Sequence, residues 1–198
     1  MKQNQIKWGA ILSYILIVLN TLYGLLITPY ILGCIGEAEY GVYKTIGSLT
    51  SSLAVLDLGM GATVMRYVSK FRSDKEEDKI PNFIAMNLIQ ALMLCGVIGA
   101  VAIGVFQMIR PIYGATFTEA QTEKAQLLFI VLVANLIIHT FANVTNGLIT
   151  GSNCFLFGNG IKAVRLIVRT VLIILLLNVC KDSMLLVLIE LGCSIVLY

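Results

Sequence analysis

Asp57 lies inside SSLAVLDLGMGATVMRYVSK, residues 51–70, whose first fifteen positions would suit a lipid-embedded helix. A carboxylate at the centre of a bilayer helix costs about 2.5–3.5 kcal/mol on insertion scales. An acid kept there pairs with a base, binds a coupling cation or anchors a glycine-rich bend. Glu190 is the second acid within an apolar block. Lys162, Arg165 and Arg169 follow one another at spacings of three and four, which places them on one helix face. Arg66 is a further base at the end of an apolar block. Asn135, His139, Asn143, Asn146 and Thr150 recur at four, four, three and four, again one face. Ser13, Asn20, Gly24 and Thr28 make a similar stripe near the start of the chain.

Each feature alone also has a structural role. Asparagines and small residues join helices, at about 0.6 kcal/mol per hydrogen bond. Lysines and arginines near helix ends snorkel to the interface. Gly96, Ala100 and Gly104, and the pair Gly147 and Gly151, fit small-residue packing. Together, however, polar faces on most helices of one bundle imply a shared wet interior, and ionisable groups at membrane depth mark substrate or ion paths.

The elements that must position these residues are apolar blocks. The chain has 198 residues, 58% hydrophobic and only 13% charged, with a mean hydropathy of +0.90. A soluble domain carries about a quarter charged residues. Six blocks stand out, at 8–32, 43–65, 83–109, 125–150, 163–180 and 184–198. A helical span needs about 20 apolar residues, and lipid leaves no alternative to closed backbone hydrogen bonding. The expected fold is an all-α membrane bundle of about six transmembrane helices in one domain, the last incomplete. Thr116 and Glu119 have the spacing of a capping box that would start the fourth span.

Basic residues set the expected orientation. Ten of them (Lys2, Lys7, Arg66, Lys70, Arg72, Lys75, Lys79, Lys162, Arg165 and Arg169) fall on the side of the N-terminus, against Lys44, Arg110, Lys124 and Lys181 opposite. The N-terminus is expected to be cytoplasmic. The net charge of +3 needs no nucleic acid to explain it. Five scattered cysteines without a CxxC pair, and a single histidine, give no basis for a metal site or a cofactor. The cysteines are expected to be small apolar packing residues, and Cys34 and Cys180, which fall near the same face, are the alternative as a bridge. No DxD, HxxxxD or GxxxxGK[ST] occurs, and SDKEEDK, the one acidic cluster, is interleaved with lysine. A membrane transferase, and enzymatic activity in general, is disfavoured on these grounds.

Residues 28–70 carry a more specific pattern. TPYILGCIGEAEYGVYKTIGSL and LAVLDLGMGATVMRYVSK contain Pro29-Tyr30, Gly36-Glu37, Glu39-Tyr40-Gly41, Tyr43, Leu56-Asp57-Leu58-Gly59 and Arg66. In order and separation this resembles the N-terminal region of bacterial polysaccharide and O-antigen flippases of the multidrug/oligosaccharidyl-lipid/polysaccharide exporter superfamily. The resemblance implies two bundles of about six helices. Between them a polyprenyl-pyrophosphate-linked oligosaccharide crosses the cytoplasmic membrane by alternating access, for cell-surface polysaccharide synthesis. This chain would be the first bundle, without the C-terminal lobe. Arg66, Arg165 and Arg169 would attract the pyrophosphate near the cytoplasmic mouth. Asn20, Asn135, His139 and Asn143 would meet the sugar, and Asp57 and Glu190 would pair or bind a coupling ion. A drug/cation antiporter of the same superfamily, and a nonfunctional or assembly half-protein, remain alternatives.

Overall fold

The computed structural model describes residues 2–57, 59–152, 154–179 and 181–197. Within them the chain forms seven α-helices and no strand: α1 Lys2–Ile35, α2 Glu37–Ala54, α3 Met60–Ser73, α4 Ile80–Tyr113, α5 Glu119–Gly151, α6 Phe155–Leu177 and α7 Ser183–Leu197. Four candidate spans are long and apolar enough to cross a membrane: Ile11–Ile35, Glu37–Ser73, Glu77–Tyr113 and Glu119–Gly151. α6 has the length but carries Lys162, Arg165 and Arg169, and α7 is short.

Two glycines break the helices. Gly36 (φ 85°) separates α1 from α2, and Gly59 (φ 72°) precedes α3. Both angles lie in the region that favours glycine. The second apolar block is therefore two helices, joined through the 3-10 turn Val55–Asp57. Glu37 and Glu39 in the first turn of α2 complement the helix dipole.

The capping box of α5 is Thr118 with Gln121, both halves present, rather than Thr116 with Glu119. Thr116 and Phe117 still donate their amides to the Tyr113 carbonyl, so the turn leaving α4 consumes them and the helix starts later.

α5 is the central helix and packs against α2, α3, α4, α6 and α7, while α1 lies along α6. Three apolar cores hold the bundle. Ile46, Ile109, Leu128, Phe129 and Val187 join α2, α4, α5 and α7. Ile27, Ile173, Leu177 and Leu186 join α1, α6 and α7. Met60, Val64, Val68, Ala91 and Val144 join α3, α4 and α5. Gly147 and Gly151 sit on this last seam, facing α3. The expected packing role of Gly96, Ala100 and Gly104 fails: Gly96 and Gly104 have nothing within 4 Å of a Cβ position, and Ala100 is exposed. α4 presents Ala91, Ile98, Ala102 and Ile109 inward instead.

The connections gather at two ends. At one end Arg72 Nη1 donates to the Ser152 carbonyl at 3.2 Å, and the Asn159 amide donates to the Gly9 carbonyl and to Ser13 Oγ. At the other end Lys124 meets Glu39 at 2.5 Å and Asp182 at 2.9 Å. Glu39 also accepts the Ser183 amide, so the starts of α2, α5 and α7 are tied at one point. Cys34, Cys95, Cys154 and Cys193 are free thiols. Cys180, and with it a Cys34–Cys180 bridge, lies outside the described residues.

Burial works to raise the Asp182 carboxyl, but the Lys124 ammonium and the Met184 amide outweigh it and hold the group below its ordinary 3.8. A carboxyl lowered by folding contributes stability that is present above its unfolded pKa and lost as pH falls through the folded one. Acidification through and below the ordinary carboxyl range should therefore loosen this end. Asp182→Asn should flatten that acid limb in a thermal-unfolding pH series while costing little at low pH.

Candidate functional site

A cleft of about 610 Å³ runs along α2 and α5, with side chains of α6 and α7 at its base. From α2 come Lys44, Ser48 and Ser51, spaced four and three and hence on one face. From α5 come Asn135 and His139, one turn apart. Arg169 and Glu190 complete the lining. The cleft thus holds an exposed ammonium, Lys44, lying over the Tyr40 ring 5.5 Å from its centroid, a guanidinium–carboxylate pair, an imidazole, an amide and hydroxyls, in a bundle whose outer surface is largely apolar. Large exposed side chains such as Leu25, Leu26, Leu92, Met93 and Ile103 cover that exterior. An apolar belt of this extent needs covering by lipid or protein.

The guanidinium of Arg169 faces Glu190 end-on, with Nη1 to Oε1 at 3.3 Å and Nη2 donating to Oε2 at 3.4 Å. It also lies over the Tyr23 ring, 5.5 Å from the centroid, which brings α1 into the same contact. One turn earlier on α6, Arg165 Nη2 donates to Ser194 Oγ at 2.6 Å. Residues 165 and 169 on α6 therefore oppose 194 and 190 on antiparallel α7. Arg169 Nε and Asn135 Oδ1 are buried and make no hydrogen bond.

A second polar contact lies deeper. Asn143 Nδ2 donates to Asp57 Oδ2 at 2.7 Å, linking α5 to the joint between α2 and α3. Its neighbour one turn away, His139, interacts with both Asn143 and Asp57 and so connects this contact to the cleft.

The structure thus brings Asn135, His139, Arg169 and Glu190 together around one cleft, with Asp57 and Asn143 beside it. Two expected members stand apart. Arg66 is exposed on α3, and Asn20 is exposed on α1 with its amide turned back to the Leu16 carbonyl at 2.9 Å. The basic ridge is also placed differently. α6 begins at Phe155, so Arg165 and Arg169 lie ten and fourteen residues in, about 15 and 21 Å from that end at 1.5 Å per residue. They are deep in the bundle rather than at its mouth. Lys44, Ser48 and Ser51 were absent from the residues expected to line a cavity. Their helical spacing, with Ala54 three further on, was the available signal.

No family model, no curated protein and no solved structure matches the chain. The resemblance carried by residues 28–70 therefore enters the functional reading only as a proposal.

Proposed function

We propose that the chain is a membrane helix bundle that moves lipid-linked oligosaccharide or polysaccharide precursors across a bacterial cytoplasmic membrane, for cell-surface polysaccharide synthesis. The observation that carries this reading is the polar cleft of about 610 Å³ in a bundle with an apolar exterior. Hydroxyls and amides along α2 and α5 suit a glycan, and the bases suit a pyrophosphate, while an attached polyprenyl tail would stay in lipid. In this reading all six apolar crossings lie in the membrane, α2 and α3 forming one of them. The N-terminus and the 74–79 connection face the cytoplasm, as Lys70, Arg72, Lys75 and Lys79 around that connection favour. A second bundle would close the open side of the cleft. The rival cation antiporter is weakened by Arg169, which already neutralises Glu190, the one carboxylate lining the cleft among the described residues.

Lys44 offers the cleanest test, because it lines the cleft yet is exposed and joins no core. A hydrogen bond to a charged group contributes about 1.5–3 kcal/mol. Lys44→Gln should therefore lower surface polysaccharide export roughly tenfold in a cell that depends on this chain, with its membrane level unchanged. Lys44→Arg should retain most of the export. Full export by Lys44→Gln would remove the cleft from the transport path.

A further inference from the structure

The seam between α4 and α5 carries an apolar groove of about 490 Å³. Gly99, Ala102 and Phe106 of α4 line it opposite Ile130 and Val133 of α5. Their spacings of three and four keep each set on one helix face. Ile103, which also lines it, is 64% exposed, so the groove opens outward. At about 100° per residue, Ile130 and Val133 lie on a different face of α5 from Asn135 and His139. Closing the cleft therefore leaves the groove open.

One turn further along the same two faces the seam becomes polar. Arg110 follows Phe106 by four residues, and Gln126 precedes Ile130 by four. Arg110 Nε donates to Gln126 Oε1 at 3.3 Å, which bridges the helices at the end of the groove. Beyond the bridge lies a hollow of about 330 Å³, lined by Arg110, Thr122, Glu119 and Glu123. The two glutamates are four apart and share a face of α5. Among the described residues Arg110, Glu119 and Glu123 form no ion pair. From Gly99 to Arg110 is eleven residues, about 16 Å at 1.5 Å per residue. Half of a hydrocarbon core about 30 Å thick is about 15 Å, so the groove is one leaflet deep and ends in a base beside two acids.

We propose that this seam binds one zwitterionic phospholipid with a primary-amine headgroup, in the leaflet at the α4–α5 turn. An acyl chain lies along Gly99, Ala102 and Phe106, the phosphate meets Arg110, and the ammonium lies between Glu119 and Glu123. The order of groups along the seam is the order along the lipid. With Nε held by Gln126, the Nη edge of the guanidinium remains for two phosphate oxygens. Paired carboxylates repel a headgroup of net negative charge and accept N–H bonds from an ammonium. A trimethylated amine has no N–H to donate. The site rests on the membrane reading of the bundle and not on what the cleft carries.

The test is native mass spectrometry of the purified full chain in detergent, titrated separately with phosphatidylethanolamine, phosphatidylcholine and phosphatidylglycerol of the same acyl chains. The first ethanolamine lipid should half-saturate the chain at a concentration about tenfold lower than either other lipid, the worth of one hydrogen bond to a charged group. Arg110→Gln should raise that concentration about tenfold. Glu119→Gln combined with Glu123→Gln should erase the preference and bring the glycerol lipid level with the others. These three side chains are exposed, so the fold survives their replacement. Gly99→Leu meets nothing within 4 Å at its Cβ position, yet its side chain enters the groove, and it should weaken all three lipids. Equal affinity of the wild type for the three lipids, or a preference for the glycerol lipid, overturns the proposal. A preference that survives the double glutamine variant contradicts the headgroup assignment. Unchanged ethanolamine-lipid binding by Gly99→Leu contradicts the groove.

Discussion

Gly147→Leu should leave almost no folded bundle. A Cβ at residue 147 would stand 2.5 Å from the Gly61 carbonyl oxygen and 2.8 Å from Val64 Cβ. At Gly151 the corresponding distances are 2.7 Å to the Met65 carbonyl and 2.9 Å to Val68 Cβ. The obstacle is backbone, not the movable end of a side chain. Any side chain at 147 must push α3 off α5 and unpack Val64, Val68 and Val144, all almost fully buried. Overpacking a core costs about 1–3 kcal/mol per insertion, occasionally more, against a total stability of about 5–15 kcal/mol for an ordinary domain. Gly147→Ala should fall within that range and Gly147→Leu beyond it. Yield of monodisperse protein on size-exclusion chromatography measures the effect. Gly96→Leu is the control, since nothing lies within 4 Å of its Cβ position, and it should behave as wild type.

Glu190→Leu should be the most damaging change among the cleft side chains. It strands the Arg169 guanidinium, which is 27% exposed against 22% for its partner. Removing one member of a buried pair costs about 3–5 kcal/mol, and the residual exposure places this case near the lower bound. Arg169→Met combined with Glu190→Leu replaces the pair by apolar side chains of similar size. By the same reasoning the double variant should regain most of the lost thermal stability. Its export should stay low, because the cleft has lost its deep base. A double variant no more stable than Glu190→Leu would mean that the pair is not the source of the loss.

How much of this could be read in the chain varied with the range of the interaction. The face bearing Asn135, His139 and Asn143 follows from helical period alone, and α5 presents it to α2, α3 and α7. Gly36 and Gly59 stand where the backbone turns left-handed; the charged residues after Gly36 hinted at the first break, while Gly59 sits in an apolar stretch with Asp57 as its one charged neighbour. The start of α6 was hidden. The apolar block begins at 163, yet the helix begins at Phe155. It is held there by partners distant in sequence: Gly158 lies against Ile149, and Asn159 donates to Gly9 and Ser13 on α1. That early start is what carries Arg165 and Arg169 into the depth of the bundle. Their pairing with Ser194 and Glu190 depends on the antiparallel register of α6 and α7, which local pattern does not contain. Gly96 and Gly104 show the converse. Their spacing is that of a packing motif, but the neighbouring Ile98 and Ala102 face the core instead.

The most direct measurement asks what occupies the cleft in a living cell. A photo-crosslinking amino acid placed at Ser48, on the cleft wall, is compared with one at Leu92, on the apolar exterior. After irradiation the chain is isolated and probed for glycan. The account predicts a glycan-bearing adduct from residue 48 alone, carrying a polyprenyl pyrophosphate and diminished in the Arg169→Met, Glu190→Leu background. Adducts from residue 48 that contain no glycan, or equal glycan capture at residue 92, would contradict it.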